Sequence, residues 1–171
     1  MYRSSDASHG TVASINVSSG GVPKRSRQSA FLSTTGVEGD SQRNLRYHGG
    51  PDRAVCLYSL ELIEALRAEG HPIAPGTIGE NVTISGVPWT PMQPGTRIEV
   101  GEVLLGLTSF AHPCRNIVES FSGGDILRVS QKRHPGWSRV YARVLHEGRI
   151  AVGDRVTLEA PAGSIARAGS P

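Results

Sequence analysis

The spacing of apolar and polar side chains predicts short β-strands separated by turns. Residues 11–18 (TVASINVS) alternate apolar and polar positions and are rich in β-branched residues, which is typical of a half-buried strand. Residues 54–59 (AVCLYS) form a continuous apolar run, which indicates a strand buried on both faces. Further strands are predicted at 80–85, 96–101 and 103–109, and three more, joined by turns, within 138–159. Short strands with regularly spaced turns favour a barrel.

Helical periodicity is clearest directly after the buried strand. Ser59 is a suitable N-cap for this helix, and Gly70 can end it. One apolar stripe along it is formed by Leu60, Ile63 and Leu66. Elsewhere the sequence predicts short helices at 115–121 and 124–133, a basic loop at 20–30 and a turn-rich segment at 34–53. The predicted fold is therefore mainly β, a closed barrel with a few short helices.

Composition indicates one domain. The 171 residues include 21 glycines and 11 prolines, and 37% of the side chains are hydrophobic, which suits a loop-rich domain with a substantial core. No internal repeat occurs. The polar, small-residue segments 1–10 and 160–171 are expected to be flexible, which leaves a single domain over residues 11–159.

Charge and apolar content limit the classes of partner. The net charge is +3 and aromatic residues make up 5%, without the dense basic patch and stacking aromatics of a nucleic-acid surface. No stretch of about 20 apolar residues predicts a membrane span, and the first residues lack the apolar region of a signal peptide. Two distant cysteines do not form a disulfide framework. We expect a cytoplasmic protein that binds neither nucleic acid nor membranes.

Cys114, in the stretch TSFAHPCRNIVESF, is the strongest candidate for chemistry. As a thiolate it would be a nucleophile or a ligand for a soft metal. Arg115, and a helix beginning at Asn116, would favour the thiolate electrostatically. The alternative is a small buried apolar residue, and the local sequence leaves this open. Cys56, within the buried apolar run, is expected to be structural.

Two glycine-containing loops carry charged side chains. In YHGGPDR, residues 47–53, the glycines would let a ligand approach the backbone beside His48, Asp52 and Arg53. A tight turn alone would not need these three side chains together. In GGVPKR, residues 20–25, Lys24 and Arg25 could bind a phosphate group, or they could be solvated loop charges.

Two further pairs are weaker candidates. Glu80 and Asn81 follow glycines in PGTIGENV, a pattern that is also common in ordinary turns. Arg139 and Arg143 lie four residues apart in RVYARVLHEG, so on a strand both side chains would point to the same face. They could line one side of a barrel or its mouth, or they could face solvent.

Taken together, these motifs resemble the MOSC family, named for the C-terminal domain of molybdenum-cofactor sulfurase, and in particular its short bacterial, YiiM-like members. The resemblance covers residues 11–159 and depends on the order of the motifs more than on any one of them. Along the chain they are GGVPKR, TTGVEGDSQRNLRYHGGPDRAVCLYSLE, GTIGENVTISG, GTRIEVGEVLLGLTS, HPCRN, and GW leading to ARVLHEGRIAVGDRV.

The resemblance implies a distorted β-barrel, similar to the small barrel domain of pyruvate kinase, that holds a molybdenum-pterin cofactor. It also implies reduction of N-hydroxylated compounds, with electrons from a separate reductase of flavoprotein or ferredoxin type. Cys114 stands at the position of the cysteine that binds molybdenum in such relatives. The residues that the resemblance places around the cofactor are Lys24, Arg25, His48, Asp52, Arg53, Glu80, Asn81, Arg115, Asn116 and either or both of Arg139 and Arg143.

Two other functions fit the same residues. In the first, Cys114 carries a persulfide and the protein transfers sulfur, which predicts one extra sulfur on Cys114 and no bound metal. In the second, the protein is a binding module for a phosphorylated small molecule and Cys114 is structural. That module would bind its ligand unchanged after Cys114→Ala.

Overall fold

The structure is a computed structural model that describes residues 9–41 and 49–159. Within these ranges the chain forms the strands β1 His9–Val17, β2 Arg25–Arg27, β3 Ser29–Ser33, β4 Gly36–Val37, β5 Val55–Ser59, β6 Val82–Ser85, β7 Arg97–Val100, β8 Val103–Phe110, β9 Val140–His146, β10 Gly148–Ala151 and β11 Arg155–Leu158. The helix α1 spans Leu60–Ala68, and short 3-10 helices span Pro51–Arg53, Arg115–Ser120, Ser122–Gly124 and Ile126–Val129. The strands predicted from alternation are thereby confirmed.

Seven of the strands close into a barrel. Their order is β11-β7-β8-β9-β5-β6-β1, and β1 returns to β11 through the partners His9↔Thr157 and Thr11↔Arg155. All neighbours in this ring are antiparallel except β5 and β6. The helix α1 makes the crossover that this one parallel pair requires. A second, three-stranded sheet is formed by β10, β3 and β4.

The barrel interior is filled by one alternating set of aliphatic side chains. On β5, Val55 and Leu57 face the interior together with their cross-strand partners Ala142 and Val140 on β9, and all four are fully buried. Burying each aliphatic side chain of this size stabilises the fold by about 1.5–3 kcal/mol. Because side chains alternate along a strand, the residues between these four point to the outside of the barrel.

The helix α1 begins and ends where the sequence predicts. Ser59 Oγ accepts a hydrogen bond from the backbone N–H of Leu62 at 3.2 Å, and Ile63 and Leu66 are buried against the barrel. Gly70 follows the helix with a φ of 99°, in the left-handed region that favours glycine. At nine residues this helix is too short to cross a membrane, and no other helix in the described part of the chain could do so.

Two details differ from the predictions. The loop predicted at 20–30 contains β2, whose residues Arg25 and Arg27 pair with Val17 and Ile15 of β1, and it ends in the first residues of β3. Backbone pairing of a three-residue edge strand needs no apolar pattern, which is why the sequence did not reveal it. The predicted helices near 115–121 and 124–133 are short 3-10 segments. The flexible segments predicted at 1–10 and 160–171 lie outside the described residues, except that His9 and Gly10 begin β1.

Candidate functional site

A cavity of about 680 Å³ lies against the outer face of the barrel. Its floor is formed by Cys56 on β5 and Tyr141 on β9, which are direct cross-strand partners. Its walls come from three segments, at 20–24, 78–81 and 110–117. The cavity therefore lies where connecting loops cover the outside of two strands, and not in the barrel interior, which is packed with aliphatic side chains.

Cys114 lies in the 110–117 wall and is partly exposed to the cavity. This wall leaves the end of β8 and is tied to the start of β9, because Ala111 N donates a hydrogen bond to Arg139 O at 2.9 Å. The carbonyl of Cys114 accepts from Ile117 N at 3.2 Å, which opens the 3-10 helix that follows. Asn116 also lines the cavity, whereas Arg115 is exposed and does not line it. The thiol is thus held at a rigid corner and remains accessible.

Cys56 is the second thiol in the cavity, although its apolar sequence context predicted only a structural role. Burial raises the pKa of this thiol to about 11, so it keeps its proton at neutral pH. Burial also raises the pKa of Tyr141 beside it to about 12. The continuous apolar run of β5 concealed the fact that its outer face lies under a cavity. Cys56 is therefore a neutral group of the floor, and Cys114 is the accessible thiol.

Arg139 joins two of the walls. Its Nη1 donates to Ile78 O at 2.6 Å and its Nη2 donates to His112 O at 3.3 Å, although the residue is only 6% exposed. Its Nε has no hydrogen-bond partner among the described residues. A guanidinium stays charged at all ordinary pH values. Arg139 therefore places a buried positive charge at the cavity, satisfied only by neutral carbonyl groups.

Lys24 supplies a second cation, but one with a counter-charge. Its Nζ lies 2.6 Å from Asp40 Oδ2, and the two side chains are 9% and 5% exposed. Asp40 also accepts hydrogen bonds from Ser18 N at 2.9 Å and from Asn81 Nδ2 at 3.0 Å. This network fixes the 20–24 wall to Asn81, whose Oδ1 accepts from the backbone N–H of Cys56 at 3.0 Å.

Glu80 lies behind the cavity and does not line it. It is fully buried, and its Oε1 accepts from Gly76 N at 2.7 Å and from Thr83 Oγ1 at 3.1 Å. Its Oε2 has no partner within residues 9–41 and 49–159. Burial raises the pKa of this carboxyl group above its ordinary value. Glu80 was predicted to contact the cofactor, but its observed contacts hold the turn that forms a cavity wall.

Gly79 is required where this turn meets the cations. Its φ is 88°, and a Cβ there would lie 3.2 Å from Val22 Cγ1, 3.9 Å from Arg139 Nη1 and 4.0 Å from Lys24 Cε. The bare backbone therefore leaves open the space between the two cationic side chains. The glycines in PGTIGENV are the sequence signal for this close approach.

The remaining predicted residues divide into two groups. Arg53 lines the cavity with its guanidinium carbon 5.4 Å from the centre of the Tyr141 ring. Asp52 and Arg143 form an exposed ion pair with each other outside the cavity, and Arg25 is exposed on β2. His48 lies outside the described residues. Of the predicted residues, those that line the cavity are Lys24, Arg53, Asn81, Cys114, Asn116 and Arg139.

Comparison with protein families identifies the chain. The model of the MOSC domain matches residues 44–157, which is 114 of the 171 residues. The chain belongs to the MOSC domain family. MOSC domains are associated with the molybdenum cofactor. The cavity described above contains the cysteine that the sequence motifs single out.

Two relatives show how much of a MOSC protein is present. The chain is 32% identical over 141 residues to the uncharacterized Bacillus subtilis (strain 168) protein YflK. The aligned segment covers 81% of this chain and 62% of YflK. It is also 29% identical over 112 residues to the protein YiiM of Escherichia coli (strain K12). That alignment covers 63% of this chain and 50% of YiiM. The match therefore spans less than two thirds of either relative.

Solved structures confirm the fold. The superposition with a crystal structure of a hypothetical protein covers 93% of this chain and 72% of the other protein. Its TM-score is 0.72, and the sequences are 24% identical. The crystal structure of YiiM from Escherichia coli covers 88% of this chain and 70% of its own length with a TM-score of 0.66 at 23% identity. The predicted mainly β barrel with few helices is thus the fold of MOSC proteins.

Proposed function

We propose that this MOSC domain binds a molybdenum-pterin cofactor in the 680 Å³ cavity and reduces small N-hydroxylated compounds there. One observation carries the proposal. An accessible thiol, Cys114, and a buried guanidinium that bonds to no carboxylate within residues 9–41 and 49–159, Arg139, line the same cavity of a domain whose family is associated with this cofactor.

The residues present fit such a group chemically. Thiolate sulfur is a strong ligand for soft metals, and Cys114 offers its sulfur at the cavity wall. A pterin that bears a phosphate is an anion, and the charged guanidinium of Arg139 lines the cavity that would receive it. The missing side chain at Gly79 leaves room for a flat or phosphorylated group between Arg139 and Lys24. The thiol of Cys114, the charge of Arg139 and the space at Gly79 are therefore compatible with one ligand that contains both a metal and a phosphate.

The chain would use these residues to bind and to orient. Cys114 would hold the metal, Arg139 would supply the main neutralising charge, and Lys24 and Arg53 would donate hydrogen bonds to the phosphate. When bound, the cofactor supplies two-electron redox chemistry at its metal atom. The proton-bearing groups of the floor, Cys56 and Tyr141, stay neutral, so they add no negative charge that would repel the ligand.

The proposed reaction balances with two electrons and two protons. The N–O bond of an N–OH group breaks, nitrogen gains hydrogen, and the oxygen leaves as water. The electrons would come from a separate reductase of flavoprotein or ferredoxin type, which is the partner we propose for this domain. The substrate would be a small N-hydroxylated compound, because it must fit into the same cavity as the cofactor.

An anaerobic assay tests the activity. Full-length protein from a molybdate-supplied host would receive a chemical reductant and an N-hydroxylated nucleobase, and chromatography would follow the amine product. We expect turnover by the wild type and by Arg143→Ala, whose side chain lies outside the cavity, and none by Cys114→Ala. Full activity of Cys114→Ala would refute the proposal. A metal-free wild type with one extra sulfur on Cys114 would support the sulfur-transfer hypothesis in its place.

A further inference from the structure

Glu80 is a fully buried carboxyl group between Gly79 and Asn81, two residues that line the cavity. Gly76 N and Thr83 Oγ1 both donate to Oε1 of this buried carboxyl group, and the backbone N–H of Glu80 itself also acts on it, but Oε2 has no hydrogen-bond partner among the described residues. A buried carboxylate normally needs donors on both oxygens, because an unsatisfied charged oxygen away from water is costly. In this arrangement a neutral acid with its proton on Oε2 costs less free energy to bury than an ionised carboxylate does.

Arg139 gives independent evidence on the same question. Glu80 is a carboxyl group close enough to interact electrostatically with it, yet no ion pair joins the two side chains within the described residues. The guanidinium instead donates to the carbonyls of Ile78 and His112. A buried ionised carboxylate at this place would be expected to attract the free Nε–H of Arg139.

We propose that Glu80 is held as a neutral acid, with its proton on Oε2, and thereby leaves the positive charge of Arg139 available to a doubly charged, phosphate-type anion in the cavity. The inference rests on the proposed function, since it concerns the anionic part of that ligand. Burial, which raises the pKa of Glu80, acts in the same direction.

The other ionisable groups around Glu80 leave this balance unchanged near neutral pH. The thiol of Cys56 and the phenol of Tyr58 stay neutral, because burial raises the pKa of Cys56 to about 11 and that of Tyr58 still further. The Lys24–Asp40 ion pair contributes no net charge. Arg139 is therefore the uncompensated charge in the described surroundings of Glu80.

Sulfate binding to the full chain, prepared without molybdenum, tests the inference at neutral pH, because sulfate keeps two negative charges there. Glu80→Gln replaces a neutral acid by a neutral group of the same shape, so we expect the sulfate dissociation constant to change by less than about twofold. Asp40→Asn is the matched control. It removes a true negative charge beside Lys24, so once circular dichroism has shown that the variant is folded at the assay temperature, we expect sulfate to bind about tenfold more tightly.

Two results would overturn the inference. One is an affinity increase of about tenfold or more in Glu80→Gln, which would mean that an ionised carboxylate had been removed. The other is the absence of saturable sulfate binding by the wild type. Should Glu80→Gln fail to fold, the carboxyl ¹³C shift of Glu80 in the wild type decides alone: a protonated shift supports the inference, and an ionised shift ends it. None of these measurements depends on molybdenum, so the proposed activity can fail or succeed separately.

Discussion

Replacing Asp40 by asparagine removes the negative half of a buried ion pair at the cavity wall. Asp40 Oδ2 lies 2.6 Å from Lys24 Nζ, and the side chains are 5% and 9% exposed. Its two oxygens also accept hydrogen bonds from Ser18 N and Asn81 Nδ2. An asparagine keeps only one acceptor oxygen, so either orientation of its amide places a donor against a donor. The variant also leaves the Lys24 ammonium without its counter-charge.

Burial decides how large the effect is. Breaking a buried ion pair by removing one partner costs about 3–5 kcal/mol, whereas an exposed pair contributes about 0–1 kcal/mol. We therefore expect Asp40→Asn to lower the free energy of unfolding by about 3–5 kcal/mol. For a domain of this size that corresponds to a decrease in Tm of about 6–20 °C.

Urea titration followed by tryptophan fluorescence measures this loss, because the chain contains two tryptophans. Glu38→Gln is the matched control. The Glu38 side chain is 41% exposed and pairs with Arg27 and Arg149, so its replacement should destabilise the protein far less than Asp40→Asn does. A loss below about 1 kcal/mol for Asp40→Asn would contradict the argument from burial. A Lys24→Met/Asp40→Leu variant should recover part of the loss, because apolar groups can replace a buried pair.

Three further predictions concern the cavity and its surroundings. Gly79→Ala should weaken sulfate binding by about tenfold or more, because its methyl enters the space between the cations. Gly95→Ala, with a similar φ and nothing within 4 Å, should cost only about 1–2 kcal/mol of stability, and equal sulfate affinities in the two variants would contradict the steric argument. In native protein at neutral pH, iodoacetamide should modify Cys114 and spare Cys56, whose pKa is about 11. Peptide mass spectrometry identifies the alkylated cysteine, and alkylation of Cys56 before denaturation would contradict the prediction that it is a buried, protonated thiol. Arg143→Ala should change the unfolding free energy by less than about 1 kcal/mol in urea titration, since the side chain is half exposed; a loss above about 2 kcal/mol would be inconsistent with a surface pair.

Local patterns made the elements of this fold predictable. The continuous apolar run at 54–59 is buried along its whole length as β5, and the Ser59 N-cap fixes the start of α1 through a single side-chain hydrogen bond. Such features depend on residues close together in the chain. The closure of β1 onto β11 joins residues about 150 positions apart, so no local pattern contains it.

The cavity was predictable only in its parts. The four-residue spacing of Arg139 and Arg143 predicted a shared face on a strand, but Arg139 lies before the first residue of β9 and is buried under two loops. Arg143 lies farther along the strand, where Asp52 reaches it at the surface. The difference between them comes from which loop covers each position, and that is a tertiary property.

The direction of the Glu80 side chain could likewise not be predicted from the sequence. The glycines around it were a weak indication of a ligand-binding loop, because the same pattern is common in ordinary turns, and the segment lines the cavity through Ile78 and Gly79. The carboxyl group itself turns inward to Gly76 and Thr83. The sequence shows which residue types meet at the turn, but the direction of each side chain depends on partners from β1, from β6 and from Arg139 just before β9.

Elemental analysis of the purified full chain would show whether the cavity holds a molybdenum-pterin cofactor. Wild type and Cys114→Ala would be prepared from a host supplied with molybdate, and pterin fluorescence would be read on the denatured extracts. We predict that the wild type holds molybdenum and pterin in nearly equal amounts, close to one per chain, and that Cys114→Ala loses the metal. Wild-type protein that contains neither molybdenum nor pterin would contradict the assignment of the cavity to this cofactor.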